Sequence, residues 1–229
     1  MVKLLSILLL VALPLFWWHV SAKMSGRGLR RQSRPLKSDT LEGLVHRLSQ
    51  TAGVDRVAVR VLQAPIINGL ATPSGEIYVT EGLVKQVREG RISAPEFASV
   101  VAHELGHLAL GHTKRRAIDL AAAQAVNVVV GGLLARLIPI IGWQLARMLS
   151  SVFVATLSRR DEFEADAYAT ALMLRSGLGA EPQARMLEKL EHLEPGAKLP
   201  DGPVSWLASH PPVKERAAAI RDNASRWKG

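Results

Sequence analysis

The sequence predicts an α+β fold that is mostly helical, with one small three-stranded sheet. Two observations carry this. After residue 38 most apolar residues recur at helical spacing, in stretches bounded by Gly and Pro. Between the first two such stretches lie three short runs of strand type, residues 56–63, 66–71 and 76–80. A third observation fixes one helix in particular. The motif HELGH, residues 103–107, brings its two histidines onto one face only if the segment is helical.

The elements run in order along the chain. Residues 38–52 carry Ser38 or Asp39 as a cap and Leu41, Leu44, Val45 and Leu48 at helical spacing, and Gly53 ends the segment. RVAVRVLQ, residues 56–63, alternates and is β-branched. Residues 66–71 and EIYVT, 76–80, are two further strands, with Pro73-Ser74-Gly75 turning the chain between them. A short helix covers 82–89. Pro95 opens the next helix, which carries HELGH and runs to about Gly111. Residues 159–175 form another helix, ended by Gly177 and Gly179. Pro182 begins a helix reaching Leu193, a Pro/Gly-rich loop covers 195–203, and a last helix runs from Pro212 to Trp227.

Composition sets the outer bounds. The chain has 229 residues, 48% hydrophobic and 21% charged, enough for one sizeable core and too apolar for a disordered chain. It has no cysteine, which excludes disulfides, cysteine-based zinc sites and cysteine nucleophiles. The net charge of +9 is concentrated. Residues 23–37 hold Lys23, Arg27, Arg30, Arg31, Arg34 and Lys37 with no acid among them. A solvated linker and an anionic lipid surface both fit this run. Nucleic acid does not, because no aromatic residues interleave with the cations and no nucleic-acid motif lies beyond them.

Three regions result. Residues 1–22 contain LLSILLLVALPLFWW behind Lys3, an N-terminal membrane anchor or a signal segment. Phe16, Trp17 and Trp18 suit a membrane interface, and an anchor is preferred. Val20-Ser21-Ala22 is an acceptable cleavage site, so export with cleavage is the alternative. The cations just after it oppose export, and the side of the membrane stays open. Residues 23–37 are a basic linker, and 38–229 one domain. Within it, 117–157 is strongly apolar but broken by Gly131-Gly132, Arg136, Pro139, Gly142 and Arg147. It reads as an inserted helical hairpin that packs on the core or lies at a membrane interface, with two transmembrane spans also open.

HELGH supplies two imidazoles one helical turn apart, His103 and His107, able to grip one Zn²⁺, with Glu104 between them as a general base. A catalytic zinc takes a third protein ligand. The segment SRRDEFEADAYA, residues 158–169, offers Glu162, with Asp166 one turn on as the acceptor that fixes a zinc-bound histidine. Ala165 and Ala169 flank that face and permit close approach, and Glu164 points roughly the opposite way. An acidic, solvent-facing helix paired with Arg159 and Arg160 is the other reading. His112, after Gly111, reads as a helix cap and not as a ligand.

Four segments together resemble the membrane-linked zinc endopeptidases of the HtpX, CAAX prenyl protease and OMA types, the HExxH gluzincins. They are NGLATPSGEIYVTEGLV (68–84), EFASVVAHELGHLALGH (96–112), SRRDEFEADAYA (158–169) and SHPPVKERAAAI (209–220). The resemblance implies a zincin-like fold with HELGH on the active-site helix and a zinc-dependent metalloendopeptidase in membrane-associated protein quality control. It implies one Zn²⁺ per chain held by His103, His107 and Glu162, with Glu104 as base, and protein or peptide substrates. It marks His210, as oxyanion donor or reversible fourth ligand, and Arg216, as orienter of carboxylates or oxyanion donor. Taken alone, His210 reads as a cap and Arg216 as an exposed helix cation. It also places an extended substrate along the strand beside the motif helix, at Asn68, Gly69, Ile77, Tyr78 and Val79. Membrane lipids are the expected partners of the N-terminal segment and basic linker. The alternative function is a membrane-tethered zinc-binding chaperone or scaffold with little proteolytic activity.

Overall fold

The computed structural model describes residues 27–72, 74–112, 142–193 and 213–227, and parts of 114–136; for 142–157 it describes the backbone alone. Outside the described residues lie the expected anchor or signal segment, the start of the basic linker, Pro73 of the turn, much of the hairpin, the whole 195–203 loop with its flanks, and His210.

Helix α1 (Asp39–Ala52) begins where the Ser38 side chain accepts a hydrogen bond from the Leu41 backbone N–H and ends at Gly53. Its face of Leu41, Val45 and Leu48 is buried. Ser49 ties the helix to the segment leading into the sheet: its hydroxyl donates to the Val45 carbonyl and accepts from the Val57 N–H.

The sheet has four strands, not three: β1 (Ser33–Pro35), β2 (Val59–Leu62), β3 (Gly69–Ala71) and β4 (Ile77–Thr80), in the spatial order β1-β2-β4-β3. β2 and β4 are parallel, and the outer pairs are antiparallel. The additional strand, β1, lies within the stretch read as linker. It is three residues long, basic and ends in Pro35, so no alternating apolar pattern announces it. A proline is tolerated there because β1 is an edge strand. Arg60 secures it by donating through Nε to the Ser33 hydroxyl at 2.9 Å. The other strands sit inside the expected ranges and are shorter.

Thr80 ends β4 and caps α2 (Glu81–Arg88), its side chain accepting from the Leu83 N–H. Helix α3 (Ala94–Ala109) comes next and carries the motif. Ser93 and Glu96 form a reciprocal capping box, each side chain accepting from the other's backbone N–H, and Pro95 occupies the first turn. Every residue from Glu96 to His107 is buried. A helix buried on all sides is the centre of a domain. Leu48 of α1, Ile77 and Val79 of β4, and Phe97, Val100 and Val101 of α3 share one core with Met173, Leu187 and Ile220 from the helices beyond.

Helix α4 (Gly142–Arg175) is 34 residues long. The sequence suggests one helix ending near 157 and another starting at 159. The structure joins them. Composition changes sharply at Ser158, but no Gly or Pro occurs after Gly142 before Arg175, so nothing in the backbone breaks the run. Among the described residues no helix is long and apolar enough to cross a membrane.

α3 and α4 pack at their backbones. A Cβ on Gly106 would lie 2.8 Å from the Ala165 carbonyl oxygen and 3.0 Å from its Cα. Only glycine fits there. Helices α5 (Glu181–Leu193) and α6 (Val213–Trp227) complete the body. Lys189 of α5 donates to the Glu96 carboxylate at 2.8 Å and also to the Arg91 carbonyl, locking α5 to the start of α3.

These contacts have measurable outcomes. Gly106→Val must push α3 and α4 apart, lowering stability by about 1–3 kcal/mol, and the separation should weaken metal binding in a chelator-competition assay. Burial pushes the Glu96 carboxyl up, but the Lys189 and Ser93 hydrogen bonds outweigh burial and hold it below its ordinary value of 4.5. A carboxylate depressed on folding stabilises above its unfolded pKa, and that contribution fades as pH falls through the folded one. Glu96→Gln should therefore lower the melting temperature near neutral pH and flatten its decline below about pH 4.5.

Candidate active site

The helical repeat of α3 brings His103 and His107 together, their ring centroids 4.7 Å apart and nearly perpendicular. Their Nε2 atoms are 3.1 Å apart. Across the Gly106–Ala165 contact, α4 delivers Glu162. Its Oε2 lies 3.3 Å from His103 Nε2 and its Oε1 lies 3.5 Å from His107 Nε2. All three side chains are buried. Two ligands of a tetrahedral metal with bonds of ~2.0–2.1 Å are about 3.3–3.4 Å apart. The three separations, two of them to different oxygens of the Glu162 carboxylate, lie close to that edge length, so these donors fit a small divalent cation.

The outward nitrogen of each histidine is also held. Asp166, one turn after Glu162, has Oδ1 at 2.9 Å from His103 Nδ1. His112 sets its own Nδ1 2.9 Å from His107 Nδ1. With both Nδ1 atoms engaged, each ring presents Nε2 toward the other and toward Glu162.

Arg216 of α6 binds both carboxylates. Its Nε donates to Asp166 Oδ2 at 2.6 Å, its Nη2 to Asp166 Oδ1 at 3.0 Å, and its Nη1 lies 3.2 Å from Glu162 Oε2. It is wholly buried, not an exposed helix cation. Its contacts in this structure are those of a group that orients carboxylates. Gln183 of α5 adds two weaker hydrogen bonds to Asp166, at its carbonyl and Oδ1, and Thr170 donates to Gln183. Arg116 reaches in from the half-exposed side and donates to Glu162 Oε1 at 2.9 Å.

These charges set the protonation states. Burial pushes the Asp166 carboxyl up, but Arg216 and His103 outweigh it and hold Asp166 down at about 2. Burial pulls His103 down, while Asp166 and Glu162 outweigh it and raise it to about 9. A metal binding at His103 therefore displaces a proton. Burial pushes Glu104 up to about 7; His103 opposes the rise and Glu162 adds to it.

Glu104 faces β3. A Cβ on Gly69 would come within 3.4 Å of Glu104 Cγ and 2.9 Å of Val100 Cγ1, so glycine lets this strand lie against the motif helix. Asn68, just before it, accepts from the Gly69 N–H through its side chain. Ile77, Tyr78 and Val79 do not line an open edge. They belong to β4, which is hydrogen-bonded to β2 on one side and β3 on the other. The edge strand beside α3 is β3.

Sequence reasoning missed the tie from His112, the lock from Gln183 and the reach of Arg116. His112 had a visible signal, a histidine five residues beyond a metal-type histidine, but the helix end at Leu110–Gly111 pointed to a cap. Gln183 and Arg116 had none. The acidic stretch 158–169 combines a core-facing and a solvent-facing side: Glu162 and Asp166 face the core, while Glu164 pairs with Arg160 near the surface.

The model of peptidase family M48 matches residues 35–224. The chain is 32% identical to the metalloprotease LoiP of Escherichia coli strain K12 over 177 residues, 74% of this chain and 63% of that protein. It is 30% identical to protease HtpX of Pseudomonas aeruginosa strain LESB58 over 253 residues, 94% of this chain and 82% of that one. A protease HtpX homolog of Bordetella pertussis strain Tohama I is 26% identical over 252 residues, 93% and 79% of the two chains. The family match spans the whole cluster, from Asn68 just before β3 through the α3 histidines and Glu162 to Arg216 on α6, and the chain belongs to peptidase family M48.

Proposed function

We propose that this M48 peptidase is a zinc-dependent metalloendopeptidase with one Zn²⁺ per chain, acting on protein or peptide substrates in membrane-associated protein quality control. The observation that carries the metal assignment is the convergence of His103, His107 and Glu162 on separations of 3.1, 3.3 and 3.5 Å. Two imidazoles and a carboxylate form a donor set that zinc takes in catalytic sites, leaving one position for the reaction. Bound there, Zn²⁺ supplies a Lewis acid that polarises a carbonyl and acidifies water.

The side chains divide the remaining work. Glu104 takes the proton of the attacking water and passes it to the leaving amine; a carboxyl raised toward neutrality suits both directions. Asp166 keeps His103 in the orientation that offers Nε2. Arg216 holds Asp166 and Glu162 in register. The outer edge of β3, entered at Asn68 and Gly69, accepts an extended substrate as an added strand and lays it beside Glu104. His210, outside the described residues, is assigned as the second donor to the oxyanion. Residues 1–22 anchor the protein and the basic stretch 23–37 faces anionic lipid through the cations other than Arg30 and Arg34, which pair with Glu76 and Glu81. Support for that attachment is the run LLSILLLVALPLFWW with six cations behind it.

Metal analysis and peptide cleavage test this together. The unaltered protein should hold one zinc per chain. Glu104→Gln should hold the same zinc and lose roughly 10²–10⁴-fold in cleavage rate. Zinc in both with cleavage by neither would overturn the peptidase reading and leave a zinc-binding scaffold. Asp166→Ala takes away the carboxylate that the buried Arg216 binds through two nitrogens; it should cost about 3–5 kcal/mol in stability and about 10–100-fold in zinc affinity, measured by denaturation and chelator competition.

A further inference from the structure

Directly behind His107 lies a second group of metal-type side chains, His112, Asp161 and Glu164. Its geometry is that of a support for the first group. His112 is completely buried. Its Nε2 lies 3.2 Å from Glu164 Oε2 and 3.8 Å from Asp161 Oδ1, and its Nδ1 lies 2.9 Å from His107 Nδ1. A cation already occupies the place between the carboxylates: Arg115 Nη1 donates to Asp161 Oδ1 at 3.1 Å and to Glu164 Oε2 at 3.0 Å. Those are the same two oxygens that face His112, and a metal there would have to expel the guanidinium.

Proton placement then follows from the hydrogen-bond geometry and the need for a free lone pair on His107 Nε2. For His107 Nε2 to offer a lone pair to a metal, the neutral ring carries its proton on Nδ1. That N–H needs an acceptor, and His112 Nδ1 lies within reach at 2.9 Å. His112, accepting through Nδ1, carries its own proton on Nε2 and donates it to Glu164. Every nitrogen of both rings is thereby used. Arg115 and Arg160 hold Glu164 in place from two further directions.

We propose that His112 is a positioning residue for the metal centre: it fixes His107 in the Nδ1–H tautomer and passes the polarisation on to Glu164, as Asp166 does directly for His103. The proposal rests on the metal centre assigned under the proposed function. It makes the two histidines of the motif unequal, one backed by a carboxylate and the other by an imidazole relay.

The test uses the full chain, His112→Leu and His112→Gln, with zinc as the probe. His112→Leu removes the acceptor at similar bulk and should weaken zinc binding about 10–100-fold in chelator competition. His112→Gln restores a carbonyl acceptor and should recover most of that loss, which a purely volumetric role would not allow. In the zinc-loaded unaltered protein, long-range ¹H–¹⁵N spectra of labelled histidine should show His107 protonated at Nδ1 and His112 at Nε2. This measurement needs no variant to fold. His112 seen as an imidazolium or as the Nδ1–H tautomer would overturn the proposal, as would one zinc per chain bound equally tightly by all three proteins. Two zinc ions per chain, one lost in His112→Leu, would overturn it in favour of a second metal site. No stoichiometric zinc in the unaltered protein would instead bring down the metal-centre reading itself.

Discussion

A guanidinium buried without exposure and shared between two carboxylates is the interaction on which the rest of this site depends. Arg216 cannot be hydrated where it sits, so its charge is tolerable only while Asp166 and Glu162 stay ionised and in place. The reverse also holds. Two carboxylates held in one buried pocket repel unless a cation lies between them. The arginine comes from α6 and the carboxylates from α4, so the site closes only when α6 docks. Asp166 then transmits this arrangement to His103. Charge balance, tertiary docking and the aim of a metal-type imidazole are one event.

A second constraint is steric and complements the first. Glu162 reaches the histidines because α3 and α4 approach until Gly106 meets the backbone of Ala165. A short carboxylate on one helix and imidazoles on another converge only at such a distance. On the opposite side Gly69 does the same for β3, bringing an edge strand against Glu104. The base is thus held between the metal-type cluster and the strand edge, where water attack on an extended chain requires it.

Much of this is legible in the sequence, and the unread parts have physical reasons. HELGH is legible because its spacing equals the helical repeat. Glu162 and Asp166 are legible because their spacing obeys the same repeat and alanines mark the close face. Arg216 is legible only through resemblance, since a lone cation on an amphipathic helix is normally solvated. Strand β1 is illegible because three basic, proline-ended residues carry no alternation. The middle position of β4 is illegible because local pattern does not state strand order. EIYVT reads the same at the edge or in the interior of a sheet, and only the pairing with β2 and β3 decides it. His112 misleads because its partner lies across a helix end, where periodicity stops giving directions.

The unbroken course of α4 has a consequence of its own. Glu162 stands about 30 Å along the rod from Gly142, at ~1.5 Å per residue. No hinge lies between them, so the earlier half of the helix keeps a fixed rotational phase to the site. Adding or deleting one residue between 143 and 157 would leave Glu162, Asp166 and Arg216 untouched while turning everything upstream by about 100° around the axis. Whatever that upstream half meets, it meets it at an angle dictated by the carboxylate it ends on. Length variation in that stretch is then tolerable only in steps that return to the same phase, such as seven residues for about two turns.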